Sequence, residues 1–257
     1  AIVDMVYNNE TDELITAGES GVRVWYTAQN IDDWQFVEQA IDAPQILRGR
    51  QGPWVMGEHQ DIRERMTLRV PGTLNVTSNA SAANKYTKHA KPGEWVSKLY
   101  MHSSSQIVFC ILGISIYGFN METGVRVFEW EAIHTQPVTD MIYQPERNQA
   151  FTSSLEPSTV MWRVNSNTGQ VQMLRSFGRH AAGVSSIQLH PRGGTMLTTC
   201  MDGMIVLWSM QSLEPIYKAK MNSGVMQAQF TRNDDFTVVM GREVRVMWLE
   251  WGYCSDF

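Results

Sequence analysis

Two sets of side chains in this 257-residue chain recur with fixed spacing and are of types that could do chemistry. His134 and His180 each stand 28 residues before a tryptophan, Trp162 and Trp208. Thr152 and Thr198 stand 10 before it, and the acids Glu156 and Asp202 stand 6 before it. An imidazole, a carboxylate and a hydroxyl are the parts of a proton relay or an activated nucleophile. Here each acid belongs to a turn beside its own His, and the two acids do not face one another as an acid/base pair must. The six His (His59, His89, His102, His134, His180, His190) are scattered, and none has a Cys or His partner at metal-ligand spacing. No Gly-x-Ser-x-Gly nucleophile elbow is present, and Gly193-Gly194 reads as a hairpin turn rather than a phosphate loop. The expectation is a chain with no cofactor and no catalytic centre.

The elements that must position these residues are short strands. Two segments repeat one pattern, IHTQPVTDMIYQPERNQAFTSSLEPSTVMW ending at Trp162 and GRHAAGVSSIQLHPRGGTMLTTCMDGMIVLW ending at Trp208. Reading outward adds IVDMVYN, ELITAG and VRVWYT around Trp25. VSKLYMH, QIVFCIL, SIYGFN and VRVFEWE follow, with Phe119 in the Trp slot, and then VMQAQFT, FTVVMG and VRVMWLE around Trp248. Anchors from Phe119 onward are 43, 46 and 40 residues apart. A period of about 40 to 50 residues with four strands per unit predicts an all-β propeller, because a single small sheet cannot bury its own faces. Five blades are recognisable, and they read as part of a larger propeller.

The spacing of His, acid and Trp resembles the WD-repeat family. That resemblance implies a hydrogen-bonded chain in each complete blade. It runs from the His before the first strand through a Ser or Thr on the second and an Asp in the following turn to the Trp on the third. Carried onto this sequence, the sets are His134, Thr152, Glu156 and Trp162, and His180, Thr198, Asp202 and Trp208. A buried imidazole needs partners for both nitrogens, and a buried carboxylate must be paired. Loss of Asp202 is therefore expected to strand His180 at a cost of about 1–3 kcal/mol. The other units depart from the pattern, with Lys220 and Arg242 in the His and acid places of the last unit and Ser20 near the acid place of the first.

The chain divides into a first blade over 1–27, an outer strand plus long polar insertion over 28–94, and further blades over 95–257. Trp54–Val70 is expected to supply an outer strand or hairpin for the first blade. The Asn-, Ser- and Thr-rich stretch after it reads as an exposed loop. The loop ends in a basic cluster, Lys85, Lys88, Lys91 and Lys98 with His89, interleaved with Tyr86 and Trp95. These lysines are candidate partner-binding residues for an acidic surface. Arg48, Arg50, Arg63, Arg65 and Arg69 around Trp54 form a second cluster, diluted by Glu58, Asp61 and Glu64. Trp130 and Trp251 are aromatics either exposed at the rim or filling the space between blades.

A net charge of −5 and a pI near 5.7 disfavour nucleic acid as a general partner. No apolar run approaches the ~18 residues of a membrane span, so no membrane contact is expected. Three cysteines suit a reducing, cytoplasmic setting.

A propeller predicts binding rather than chemistry. A narrower resemblance is to the large WD-repeat proteins of cilia and flagella. It rests on the long excursion after GVRVW, then EWVSKLYMHSSSQIVFCILGISIYGFNMETG and IHTQPVTDMIYQP. It implies a structural or docking subunit of an axonemal complex, with protein neighbours such as tubulin or other axonemal subunits. The alternatives are a trafficking-coat scaffold, a substrate-recognition subunit of a ubiquitin ligase, and an RNA-associated propeller.

Overall fold

The computed structural model describes residues 2–18, 21–26, 63–71, 95–178, 180–231, 236–240 and 243–247. Short runs of β-branched and apolar residues, broken by Gly, Asn, Asp and Pro, make nineteen strands in five sheets among them. The first sheet holds β1 (Ile2–Asn8), β2 (Glu13–Gly18), β3 (Gly21–Tyr26) and β4 (Arg63–Leu68). The second holds β5 (Lys98–His102), β6 (Ile107–Leu112), β7 (Ser115–Asn120) and β8 (Arg126–Trp130). The third holds β9 (Val138–Gln144), β10 (Gln149–Ser154), β11 (Ser158–Val164) and β12 (Val171–Gly178). The fourth holds β13 (Val184–Leu189), β14 (Thr195–Cys200), β15 (Met204–Ser209) and β16 (Pro215–Lys220). In the fifth, β17 (Gln227–Phe230), β18 (Phe236–Met240) and β19 (Glu243–Met247) make three strands among the described residues, where the sequence pattern leads to four. Its anchor Trp248 lies outside the described residues.

Every sheet keeps its strands in chain order, so each is a meander. Gly193 and Gly194, at φ +71 and +82, make the turn from β13 to β14, a conformation that residues with a Cβ avoid. β4 pairs with β3 from Val22↔Leu68 to Tyr26↔Arg63, inside the segment expected to supply an outer strand.

The described chain divides into two compact units, residues 1–108 with 120–125, and residues 109–119 with 126–257. In the first unit β1 lies beside β5, and the Asp4 carboxylate accepts the Leu99 amide at 2.7 Å. Glu13 at the start of β2 is buried and paired with Arg65 of β4. Arg65 of the second basic cluster is thus a structural ion pair.

In the second unit, inner strands β9, β13 and β17 follow one another, and apolar side chains fill the space between sheets. Ile142, Phe151, Met161 and Phe177 of the third sheet pack on Ile187, Met196, Val206 and Trp208 of the fourth. The other face of the fourth, Leu197, Ile205 and Leu207, packs on Ala228, Phe236 and Val238 of the fifth. Burial of such side chains is worth roughly 1.5–3 kcal/mol each, which is why the sheets adhere. Phe109, Phe128, Trp130 and Tyr143 form one aromatic cluster with centroids 5.0–5.6 Å apart. Trp130 is 1% exposed and donates its indole N–H to the Gly169 carbonyl at 2.7 Å. It fills the space between neighbouring sheets instead of standing at the rim.

Candidate functional site

The recurring polar sets meet where the sequence places them, but they are not wired alike. In the third sheet Trp162 Nε1 donates to Thr152 Oγ1 at 2.7 Å, and that oxygen lies 2.7 Å from His134 Nε2. The Glu156 carboxylate beside Nδ1 can only accept, so the neutral imidazole carries its proton on Nδ1, and Thr152 donates to Nε2 while accepting from the indole. That Nδ1–H reaches Glu156 Oε2 at 3.3 Å. The other Glu156 oxygen accepts the amide of Thr135 at 2.7 Å and the hydroxyl of Thr135. Burial alone would raise the Glu156 carboxyl; the bonds from Thr135 and His134 outweigh it and hold the group at about 2. Burial pushes His134 down from its ordinary range, so the imidazole is neutral at pH 7.

The fourth sheet repeats the first half of this chain and omits the second. Trp208 Nε1 donates to Thr198 Oγ1 at 2.8 Å, and Thr198 Oγ1 lies 2.8 Å from His180 Nε2. His180 Nδ1 is buried with no hydrogen-bond partner among the described residues. Asp202 is turned to Lys220 Nζ at 2.9 Å and to the Met204 amide at 2.9 Å. The expected link from Asp202 to His180 is therefore replaced. A lysine on the adjacent outer strand, charged and reaching from solvent, competes better for the carboxylate than a neutral, buried N–H. Burial first of all lowers His180 to about 4, with Asp202 opposing and Lys218 adding to the shift. The Cys200 thiol, then Lys220 and the Met204 amide against some burial, hold Asp202 at about 2. The set with glutamate is complete, and the set with aspartate is open.

Other polar residues went unread in the sequence. In the first sheet Trp25 Nε1 donates to Thr16 Oγ1 at 2.8 Å, the same Trp–Thr pair at a spacing of nine after a shortened turn. Between sheets, Thr139 Oγ1 donates to the Val184 carbonyl at 2.6 Å and lies 2.9 Å from Ser153 Oγ. One sheet further on, Ser185 Oγ donates to the Val225 carbonyl at 2.6 Å and lies 3.0 Å from Thr199 Oγ1. These are the same register positions, so the latch is itself part of the repeat. Asp140, 2% exposed, adds a second bridge by accepting Ser186 Oγ and the Ile187 amide, both at 3.0 Å. Asp4 makes the matching bridge to Leu99 in the other unit. The repeated IVDM and VTDM in the sequence are the signal that could have found it.

The hydroxyls, imidazoles and carboxylates bind one another or backbone within and between sheets. Among the described residues no three of His, Cys, Asp and Glu are grouped to hold a metal ion. Within those residues no helix is long and apolar enough to cross a membrane. Of the basic loop, Lys98 sits half-buried on β5, while Lys85, Lys88 and Lys91 lie outside the described residues, as do Arg48, Arg50 and Trp54.

Four-stranded meanders packed face to face, inner strand beside inner strand, with a Trp–Thr–His chain inside a sheet, define a WD-repeat β-propeller. This chain is one. The family described as "WD domain, G-beta repeat" matches residues 171–209. That stretch opens on β12 of the third sheet and closes on β15 of the fourth, so sequence repeat and structural blade are offset by one strand. A curated relative, the transcriptional corepressor LEUNIG_HOMOLOG of Arabidopsis thaliana, is 33% identical over 85 residues. The match takes in 33% of this chain and 10% of that protein, so the chain spans about a tenth of its relative's length.

Proposed function

We propose that this chain is a non-catalytic docking platform and that it serves as a structural or docking subunit of a ciliary axonemal complex. The platform reading rests on one observation above all, the repetition of the hydroxyl latches Thr139–Val184 and Ser185–Val225 between successive blades. Latched sheets hold their connecting loops in fixed positions, and a preorganised surface loses little ordering entropy when a protein partner docks. The axonemal reading is supported by the sequence resemblance around GVRVW and EWVSKLYMHSSS, and it names tubulin and neighbouring axonemal subunits as partners. The cilium or flagellum is then its location.

A second reading takes its support from the relative. A propeller akin to part of a transcriptional corepressor would dock partners in that setting instead. Crosslinking mass spectrometry on the full-length protein recovered from detergent-extracted axonemes separates the two. Crosslinks to tubulin or other axonemal subunits, Lys85 to Lys98 included, are the expected result. Absence of the protein from the extracted axoneme overturns the ciliary assignment and leaves the platform reading to be tested on soluble partners.

A further inference from the structure

Three turns of the second unit occupy the same place in the repeat, between the second and third strands of their sheets. Each presents an apolar side chain outward: Ile114 between β6 and β7, Leu155 between β10 and β11, and Met201 between β14 and β15. They are 37%, 39% and 50% exposed, whereas the strands on either side are almost wholly buried. A single exposed apolar residue needs no explanation, but the same choice at three equivalent turns does.

The three turns are joined by backbone contacts into one continuous row. The amides of Ile133 and Val138 donate to the carbonyls of Ile114 and Gly113, and the Leu155 amide donates to Pro137. The next loop rests on Leu155 at Gly183, where a Cβ would come within 2.7 Å of the Leu155 carbonyl. Met201 then donates its amide to the Gly183 carbonyl at 3.0 Å. Gly224 repeats the close approach, its Cβ position 2.4 Å from the Met201 carbonyl. Glycine is required at both positions because any side chain would push the next loop off the turn.

A carboxylate stands beside each knob. Glu156 follows Leu155 and Asp202 follows Met201. Glu131 is placed near Ile114, since the Tyr117 hydroxyl donates to it at 3.5 Å while Ala132 donates its amide to Ser115 at 3.1 Å. Lys220 answers Asp202, and Lys218 lies further down the same outer strand. His134 and His180 are buried and add no positive charge at neutral pH. Apolar knobs alternating with net negative charge fit one kind of partner.

We propose that Ile114, Leu155 and Met201 anchor a docking site for a protein segment in which apolar side chains alternate with Lys or Arg. The assignment rests on the platform reading and gives that platform a working face. Acidic segments and phosphate backbones are disfavoured on this face by the same carboxylates, of which Asp202 alone is answered by a lysine among the described residues.

The test is selection of short random peptides against the full chain, followed by affinity measurement on a triple variant, Ile114→Ser with Leu155→Ser and Met201→Ser. All three side chains are partly exposed and lie in turns outside the packed strands, so the variant should melt within a few degrees of the parent. Selected peptides are expected to be apolar and basic, to weaken with added salt, and to lose about tenfold or more in affinity for the variant. Acidic peptides, or peptides that bind parent and variant alike, overturn the proposal. Partner capture from axonemal extract keeps the two failures apart. Partners held equally by parent and variant refute this face and leave the platform standing, whereas no partner on either overturns the axonemal reading and leaves this face to be decided by the selected peptides.

Discussion

The carboxylate of Asp202 lies 2.9 Å from the ammonium of Lys220, and the imidazole it would otherwise orient, His180, keeps a buried Nδ1 unbonded among the described residues. One blade back, Glu156 stays with His134. The longer glutamate spans from the turn to the imidazole and to Thr135 at once, and no lysine stands in the place that Lys220 takes. The two blades therefore differ in what their acids do for stability.

Glu156→Ala should cost about 1–3 kcal/mol, because it strands the His134 Nδ1–H and the Thr135 amide. Asp202→Ala should cost less than about 1 kcal/mol, since it removes a solvent-facing pair and one turn bond while His180 is already unpartnered. This reverses the expectation from the repeat pattern alone. Urea denaturation of both variants decides it, and equal losses would mean that Asp202 does orient His180.

Acid should weaken the fold in two steps of the same sign. His180 has its folded value near 4 against an ordinary 6.5, so the unfolded chain binds the proton more readily. Its contribution is complete above about pH 6.5 and is lost as pH falls toward about 4. Glu156 and Asp202, both held near 2, add a further loss below the ordinary carboxylate range. Melting temperatures between pH 7 and 4 should fall for the parent, and His180→Gln should flatten the upper part of that slope. A slope unchanged by the substitution would remove His180 as its source.

Thr139→Val keeps the shape of the side chain and deletes the latch to the Val184 carbonyl, with an expected cost of about 1–3 kcal/mol. Ser185→Ala should do the same at Val225. Amide hydrogen exchange should quicken in β13 for the first variant and in β17 for the second, the blade beyond the latch in each case. Uniform acceleration across all sheets would indicate a general loss of stability with no latch.

The two close-approach glycines can be set against a control. Gly183→Ala and Gly224→Ala each force a Cβ against the backbone of the preceding turn and should cost about 1–3 kcal/mol. Gly178→Ala, where a Cβ meets nothing within 4 Å, should fall within about 0.5 kcal/mol of the parent. Thermal melts of the three variants order them, and a costly Gly178→Ala would contradict the packing described.

The sequence by itself determined the repeat: strand lengths, turn glycines, the Trp anchors and the Thr–Trp pairs of the third and fourth blades. These are local quantities, fixed by a period of two along each strand and by a hairpin register that turn length dictates. Trp25 and Thr16 escaped because a single deleted turn residue changes their spacing without moving their register. Only the tertiary structure decided what passes between blades. The latches of Thr139 and Ser185 and the bridge from Asp140 end on backbone atoms 40 to 47 residues away, and a carbonyl or amide leaves no mark in a sequence. Whether Asp202 turns to His180 or to Lys220 is likewise a competition between a buried neutral donor and a charged one at the surface. Its outcome depends on burial and reach, which exist only once the sheets are packed.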